Sequence, residues 1–355
     1  MNNKVYLQKK SSLNLSVVII THNEAQNISR TIESVLNAVE NYPNTEIIMV
    51  DSASSDETVE IAKGYPINIL RLKPSWFLSA ASGRHIGTIH SKGDLIFFLD
   101  GDMELDPYWL NNAIPFAQEH PQVAAIGGYR RDVHMKNGRI INEVDWGKNS
   151  QGCVLEVKYV GGAMLCRRSA IHQVGGFQPF LKSEEEVDLC MRLRFSDFKI
   201  VNLPHLVCRH YCIPVDSLEG NLRRFKLNLW FGYGQVTRYY LGTPMLWNYV
   251  NERGTFIAPL IFLSLLIIIV IISLVSNNYT LIGIWIFICV VTLISFAIKK
   301  HSFRKALVSC LTRILVTFGA IRGFMMVPKL KQDYPIDPDF IKIVDLSENH
   351  EIDDL

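Results

Sequence analysis

Two carboxylates one residue apart close an apolar run: Asp100-Gly101-Asp102 follows Leu95-Ile96-Phe97-Phe98-Leu99. At a strand end, such a pair can hold a divalent cation and leave room for phosphate oxygens. Magnesium and manganese are commonly bound this way, by one or two carboxylates plus substrate phosphates. Asp-Gly is also a common turn signal, so spacing alone leaves a plain turn open. A second acidic set, Glu184-Glu185-Glu186-Val187-Asp188, precedes Leu189 and Leu193. Acid in a first helical turn suits the helix dipole. The same residues are candidates for a general base beside a hydroxyl acceptor. His205, Cys208, His210 and Cys212 lie close together, but not at standard zinc spacings. A single histidine reaching the metal held by Asp102 is the better reading.

These residues need a scaffold that brings strand ends together. Leu15 to Ile20 is β-branched and apolar, and Ile28, Ile32, Val35, Leu36 and Val39 then recur at helical spacing. Further strands are expected over Glu46–Val50, Ile67–Leu72 and Asp94–Leu99. A small-residue helix is expected over Ser79–His90, and another opens at Asp106-Pro107. Ser54 and Glu57 read as a capping box. Strand alternating with helix predicts an α/β domain with a mostly parallel central sheet. Ligands of such sheets bind beyond the carboxyl ends of the strands. Thr21, Asn23, Asp51, Asp100 and Asp102 all stand there. No G-x-G-x-x-G follows the first strand and no G-x-x-x-x-G-K-[ST] occurs, which argues against dinucleotide and P-loop enzymes.

The chain has 355 residues, a net charge of +2 and 48% apolar residues. A charge so near zero gives no case for nucleic-acid binding. Seven cysteines without regular spacing do not make a disulfide scaffold. The apolar excess is concentrated late. Thr255–Val275 carries no charge and, at about 1.5 Å per residue, spans roughly 30 Å as a helix. Leu281–Ile298 is a second uncharged run, followed by Lys299, Lys300, His301, Arg304 and Lys305. The positive-inside rule puts that cluster in the cytoplasm. With no secretory signal at the N-terminus, the expectation is a multi-pass protein of the cytoplasmic membrane with a cytosolic catalytic domain. A third apolar segment, Ala306–Val327, contains Arg313 and Arg322 and reads as interfacial or packed on other helices. Between Leu218 and Leu241, arginines including Arg223 and Arg224 interleave with aromatic residues, which suits the headgroup region. The expected divisions are an extension (1–14), a catalytic domain (15–215), an interfacial linker (216–254), a membrane hairpin (255–298), a basic loop with a third helix (299–330) and a loose acidic tail (331–355).

The order of motifs resembles the family 2 glycosyltransferases with their GT-A nucleotide-sugar fold, over about residues 15–240. Val18 to Glu24 is similar to that family's first nucleotide loop, and Val50 to Thr58 to its second. Ala80 to Gly87 resembles its small-residue helix, and Phe97 to Asp102 its D-x-D. Gly161-Gly162-Ala163-Met164 and Gly175-Gly176-Phe177 resemble the acceptor-side loops. Glu185 to Leu189 resembles E-D-x-D-L. The resemblance implies that Thr21, Asn23, Glu24 and Asp51 contact base and ribose and that Arg84 lies near the nucleotide or its diphosphate. It implies that Asp100 touches ribose or metal, that Asp102 holds manganese or magnesium, and that His210 helps. The implied base is Glu186, with Glu185 and Asp188 as alternatives. Gly162, Ala163, Arg223 and Arg224 fall on the acceptor or lipid side. Departures exist: one acid of the second loop is Ser52, and Asn221-Leu222-Arg223-Arg224-Phe225 is a degenerate Q-x-x-R-W. The implied activity is inverting transfer from a nucleoside-diphosphate sugar to a lipid-linked or glycan acceptor, among membrane lipids. A polyprenyl-phosphate transferase and a catalytically silent scaffold are the alternatives.

Overall fold

The computed structural model describes residues 14–136, 138–149, 152–213 and 217–344. The expected extension, save Asn14, and the last acidic residues of the tail lie outside them. The first half alternates as β1 (Leu15–Thr21), α1 (Ile28–Val39), β2 (Thr45–Asp51), α2 (Thr58–Ala62), β3 (Asn68–Arg71), α3 (Ala80–His90) and β4 (Leu95–Asp100). Then come β5 (Met103–Leu105), α4 (Trp109–Glu119), β6 (Val123–Lys136), β7 (Arg139–Trp146), β8 (Leu155–Glu156) and β9 (Met164–Arg167). The domain continues with α5 (Arg168–Gln173), α6 (Glu185–Phe195) and β10 (Lys199–Cys212). Six helices follow: α7 (Leu218–Lys226), α8 (Phe231–Tyr239), α9 (Pro244–Arg253), α10 (Ala258–Ser276), α11 (Thr280–Lys299) and α12 (Phe303–Met325). A last strand, β11, spans Asp339–Lys342.

One sheet runs in the order β11-β3-β2-β1-β4-β9-β6-β10-β5, with β7 on β6 and β8 on β10. The strands β3, β2, β1 and β4 pair in parallel, as expected. Beyond β4 the sheet becomes mixed: β9 is antiparallel to both β4 and β6, and only β6 and β10 pair in parallel. Every residue of β1 is buried, because helices cover both faces. Ile28, Ile32 and Val35 form the buried stripe of α1. A Ser79–Ser82 capping box starts α3. This helix lies flush on the sheet. A Cβ at Gly87 would strike the Val18 side chain, and one at Gly83 would come within 3.1 Å of Ile20.

Three local expectations change. Ser54 does not cap α2; its hydroxyl donates to the Asp51 carboxylate, while Asp56 accepts the Thr58 N–H. The helix expected at Asp106-Pro107 begins at Trp109, after a turn in which Asp106 accepts the Tyr108 and Trp109 amides. The tail is not loose over 331–344. Tyr334 packs edge-on against Trp76 and Phe180, and β11 pairs antiparallel with β3. Apolar Phe340 and Ile341 within the acidic segment supply the strand signal that charge counting hides.

The segment 216–254 is more than a linker. Leu181, Val187 and Met191 share a buried core with Trp230, Val236, Tyr249 and Phe256, and with Val316 and Ala320 of α12. Close backbone approach makes this possible: a Cβ at Gly234 would strike the Ala320 carbonyl, and one at Gly323 the Phe231 carbonyl. Three helical stretches are long and apolar enough to cross a membrane: Pro244–Ser276, Thr280–Lys299 and Phe303–Met325. The third is two-faced. Gly319, Ala320 and Gly323 are buried, whereas Phe303, Leu307, Leu311, Ile314, Phe318 and Ile321 form one exposed stripe.

Candidate active site

Strand register assembles the site. Thr21 pairs with Asp51, and Ile20 with Asp100, so three polar residues end adjacent parallel strands together. Phe98 pairs with Met164, which sets Gly162 and Ala163 opposite the end of β4. His210 pairs with Asp132 on one side and Met103 on the other, so it stands beside Asp102.

At the centre is Arg84, 1% exposed. It donates to Glu185 at 2.5 Å and to Asp100 at 2.7 Å, and it lies 3.1 Å from Glu186. Gly162 must be a glycine here, since a Cβ would strike the Asp100 carboxylate. Burial first, and then repulsion from Glu186, lift the Glu185 carboxyl to about 8 against the pull of Arg84. Burial raises Asp100 as well. For Arg84, burial opposes the charge, but Glu186, Asp100 and Glu185 win and raise its pKa. The guanidinium is therefore a buried strut between the D-x-D strand and the acidic helix, not a group presented to a diphosphate.

The other nucleotide candidates divide. Asp51 is fully buried and accepts both the backbone N–H and the hydroxyl of Ser54, so it shapes the loop from beneath. Thr21 is buried under Gly101, where a Cβ would lie 2.8 Å from its hydroxyl oxygen. Asn23 takes a positive φ of 58° and accepts the Ser55 N–H, latching the two nucleotide loops together. Glu24 and Asp100 are only partly buried. Burial, opposed by the Asn27 amide, lifts Glu24 to about 7, and nearby Asp102 adds to the rise. Arg223, exposed on α7, acts in the opposite sense on Glu24. Arg224 is half-buried, 5.7 Å from the centre of the Trp230 ring, and burial lowers its pKa.

His210 Nε2 lies 3.3 Å from Asp102, and its Nδ1 lies 2.9 Å from Asp132. Burial lowers the His210 pKa, but the hydrogen bonds to Asp102 and Asp132 raise it well above the ordinary value. Asp132 is itself clasped by Arg130 at 2.7 and 3.2 Å. Burial pushes its carboxyl up, but bonding to His210 and the Arg130 charge bring it below the usual range. Asp132, His210 and Cys212 hold ligand atoms within 4.8 Å of one another, a candidate metal site. Asp132 escapes a sequence reading because its place follows only from β6 pairing with β10. Locally it follows Arg130 and Arg131 in the second half of β6, so it reads as part of a charged strand end.

Asp188 is not brought to this cluster. It accepts from Arg192 at 2.5 Å and from the Tyr240 hydroxyl, on another side of α6. Two residues on from Glu186, Asp188 points to the opposite side of α6 from it, and Arg192 and Tyr240 occupy its carboxylate. His205 and Cys208 take no part in the His210 group. Glu184, however, gains a role. It begins α6 with a φ of 68° and pairs with Arg253 at 2.5 Å. Tyr249 also donates to it at 3.1 Å. Arg253 stands just ahead of α10, so the acidic cluster and the apolar helices are joined directly.

Acids at the ends of parallel strands, a helix of acids facing them and a histidine beside the second Asp define a GT-A-like nucleotide-sugar domain. Residues 16–180 match the model for Glycosyl transferase family 2, so the chain carries a glycosyltransferase domain of that family, acting on nucleotide sugars. The putative glycosyltransferase EpsE of Bacillus subtilis is 26% identical over 227 residues, covering 61% of this chain and 78% of that protein. The dodecaprenyl-phosphate galacturonate synthase of Rhizobium johnstonii is 30% identical over 175 residues, covering 46% of this chain and 50% of that one. The crystal structure of GalNAc-T7 with UDP, GalNAc and Mn2+ aligns with a TM-score of 0.51 at 15% identity, over 68% of this chain and 54% of that one. That likeness concerns the fold.

Proposed function

We propose that the chain is an inverting glycosyltransferase that moves a sugar from a nucleoside-diphosphate sugar to a lipid-linked or glycan hydroxyl, at the cytoplasmic face of a membrane, in envelope or exopolysaccharide assembly. The observation that carries the reading is the Glu184–Arg253 pair. It joins Glu184, next to Glu185 and Glu186, to Arg253, which stands five residues ahead of the apolar helix α10. An acceptor anchored in lipid would reach that place without leaving the membrane.

The residues present fit a divalent cation. Glu24, Asp100, Asp102 and Glu186 form one group of interacting carboxylates, with Arg84, His210 and Arg223 as cations that act on them. Burial raises Glu24 and Asp100, and the neighbouring carboxylates add to the rise. Asp102 and His210 would hold manganese or magnesium, with Asp132 fixing the imidazole from behind. Such an ion neutralises a departing diphosphate. The chain's own residues do the rest. Glu186, more exposed than Glu185, accepts the proton of the attacking hydroxyl. Arg84, 3.1 Å away, holds Glu186 in place. Asn23 and Glu24 face base and ribose, and Arg223 and Arg224 approach the diphosphate or a lipid phosphate from α7.

The 30% identity to a dodecaprenyl-phosphate galacturonate synthase favours a second reading, transfer to a polyprenyl phosphate. A phosphate acceptor needs little deprotonation, so Glu186 would then matter less. The test is binding of a nucleoside diphosphate panel to detergent-purified protein, with and without manganese, beside Asp102→Ala. Metal-dependent binding of one nucleotide, lost in the variant, is expected. A folded protein that binds none would favour a silent scaffold.

A further inference from the structure

A cleft of about 570 Å³ opens between α10, α11 and α12. That is the size of a typical small-ligand site. Its walls are nearly all apolar, with Leu263, Leu266 and Leu293 among them. Beside Thr292 and Thr317, two groups break the pattern. Arg313 lines the cleft, 4.7 Å from the centre of the Phe296 ring, and donates to the Ser309 hydroxyl at 2.9 Å. It forms no ion pair among the described residues. Trp285 lines the same cleft, and its buried indole N–H has no acceptor. An arginine among apolar helices is costly and normally pairs with an anion.

The position of Arg313 along the helices matters as much as its charge. One turn later, Thr317 donates its hydroxyl to the Phe256 carbonyl at 2.6 Å. Ala258 and Pro259, the first residues of α10, line the cleft too. Arg313 therefore lies at the end of the cleft nearest the catalytic domain. From Ala258 the chain leads back five residues to Arg253, which holds Glu184 beside Glu185 and Glu186. A guanidinium at the mouth and aliphatic walls behind it complement one ligand chemistry, a phosphate on a long hydrocarbon chain.

We propose that this cleft seats the carrier lipid of the acceptor, with Arg313 on its phosphate and the chain along the apolar walls. The proposal rests on the lipid-linked acceptor reading given above. It commits to the carrier rather than to bulk phospholipid, because the cleft lining begins at Ala258, five residues from the Arg253 that pairs with Glu184, and only a carrier has a group to present beside Glu185 and Glu186.

The experiment measures retention of labelled decaprenyl phosphate by the full-length protein in phosphatidylcholine nanodiscs. Arg313→Gln should weaken binding about tenfold or more, and Arg313→Lys should restore most of it. Leu263→Trp, which fills the cleft, should weaken it in a protein that keeps its arginine. Decaprenol, without the phosphate, should bind weakly and alike in the native protein and the Arg313 variants. Neither phosphatidic acid nor inorganic phosphate should compete well. Nucleoside diphosphate binding on the same samples reports folding. Should Arg313→Gln lose it, Leu263→Trp and the competitors still decide. Unchanged binding in Arg313→Gln and Leu263→Trp, or full competition by phosphatidic acid, overturns the proposal. Arg313-dependent binding without sugar transfer to any lipid would instead overturn the acceptor reading and leave the cleft standing. Transfer to a lipid acceptor that ignores Arg313 would do the reverse.

Discussion

The two sides of the catalytic cleft are built by different means. On the side of β1, β2 and β4, polar groups are held by close neighbours or by strand register. Asp51 holds Ser54, Asn23 holds Ser55 across one pairing, and Thr21 stands beside Asp51. On the side of α6 to α12, the decisive contacts join distant parts of the chain. Arg84 reaches Glu185, Glu184 reaches Arg253, and the Gln235 amide reaches the Phe180 carbonyl. Glycines let α8 and α12 touch backbone to backbone. The first side is thus a set of loops that any parallel sheet supplies at its strand ends. The second exists only once the tertiary structure closes, so its parts should fail together.

Arg84→Met is the strongest way to test that contrast. It leaves Glu185 buried without its cation and releases Asp100 and Glu186. Breaking a buried ion pair from one side typically costs about 3–5 kcal/mol. Denaturant unfolding of the solubilised protein should show a loss of that size, along with loss of transfer. Asp51→Asn keeps the shape of the donor loop and removes one hydrogen-bond acceptor, for about 1–2 kcal/mol. Equal losses would erase the distinction between the two sides.

Next comes the division of labour within α6. Glu186→Gln should lower transfer at least about 100-fold while nucleotide binding stays within a few fold, as loss of a general base does. That corresponds to about 2.7 kcal/mol of barrier. Asp188→Asn should leave the rate constant nearly intact and lower the melting temperature, because its partners Arg192 and Tyr240 are structural. A larger rate loss from Asp188→Asn would return that residue to the candidates for the base.

The same contrast explains what the sequence discloses. Each β-branched run followed by a polar residue marks a strand and its end, so β1 to β4 and the acids beyond them are legible. Asp132 is not, because β6 meets β10 across more than sixty intervening residues, and no local pattern announces the pairing. Arg84 is legible as a motif residue but not as a strut, since its three carboxylates come from two distant elements. Glu184 and Arg253 look like a spare acid and a flanking base until packing joins them. The tail misleads for a compositional reason: its acids outnumber the few apolar residues that pair with β3.

The smallest effect is also the one that reads the charge of the cleft directly. Burial, as the leading cause, raises the carboxyls of Glu24, Asp100 and Glu185. In each case the folded protein keeps a proton that the unfolded chain has released, so stability falls as pH rises. For Glu24 the window runs from the ordinary 4.5 to about 7, and for Glu185 it extends to about 8. His210 acts in the same sense. Its raised pKa stabilises the fold below the ordinary 6.5, and that contribution is lost as pH climbs through the folded value. Buried His85, held neutral to about 3, acts in the opposite sense up to the ordinary 6.5, so the melting temperature should decline above about pH 6.5 and towards pH 8, and Glu24→Gln should flatten the lower part of that slope. A slope that rises with pH would mean that the carboxylates are stabilised as anions, and the cleft would not be short of positive charge. If it is short, manganese should raise the melting temperature more at the alkaline end than at the acid end. His210, which would bind it, keeps its proton below its raised pKa and must release that proton to become a metal ligand.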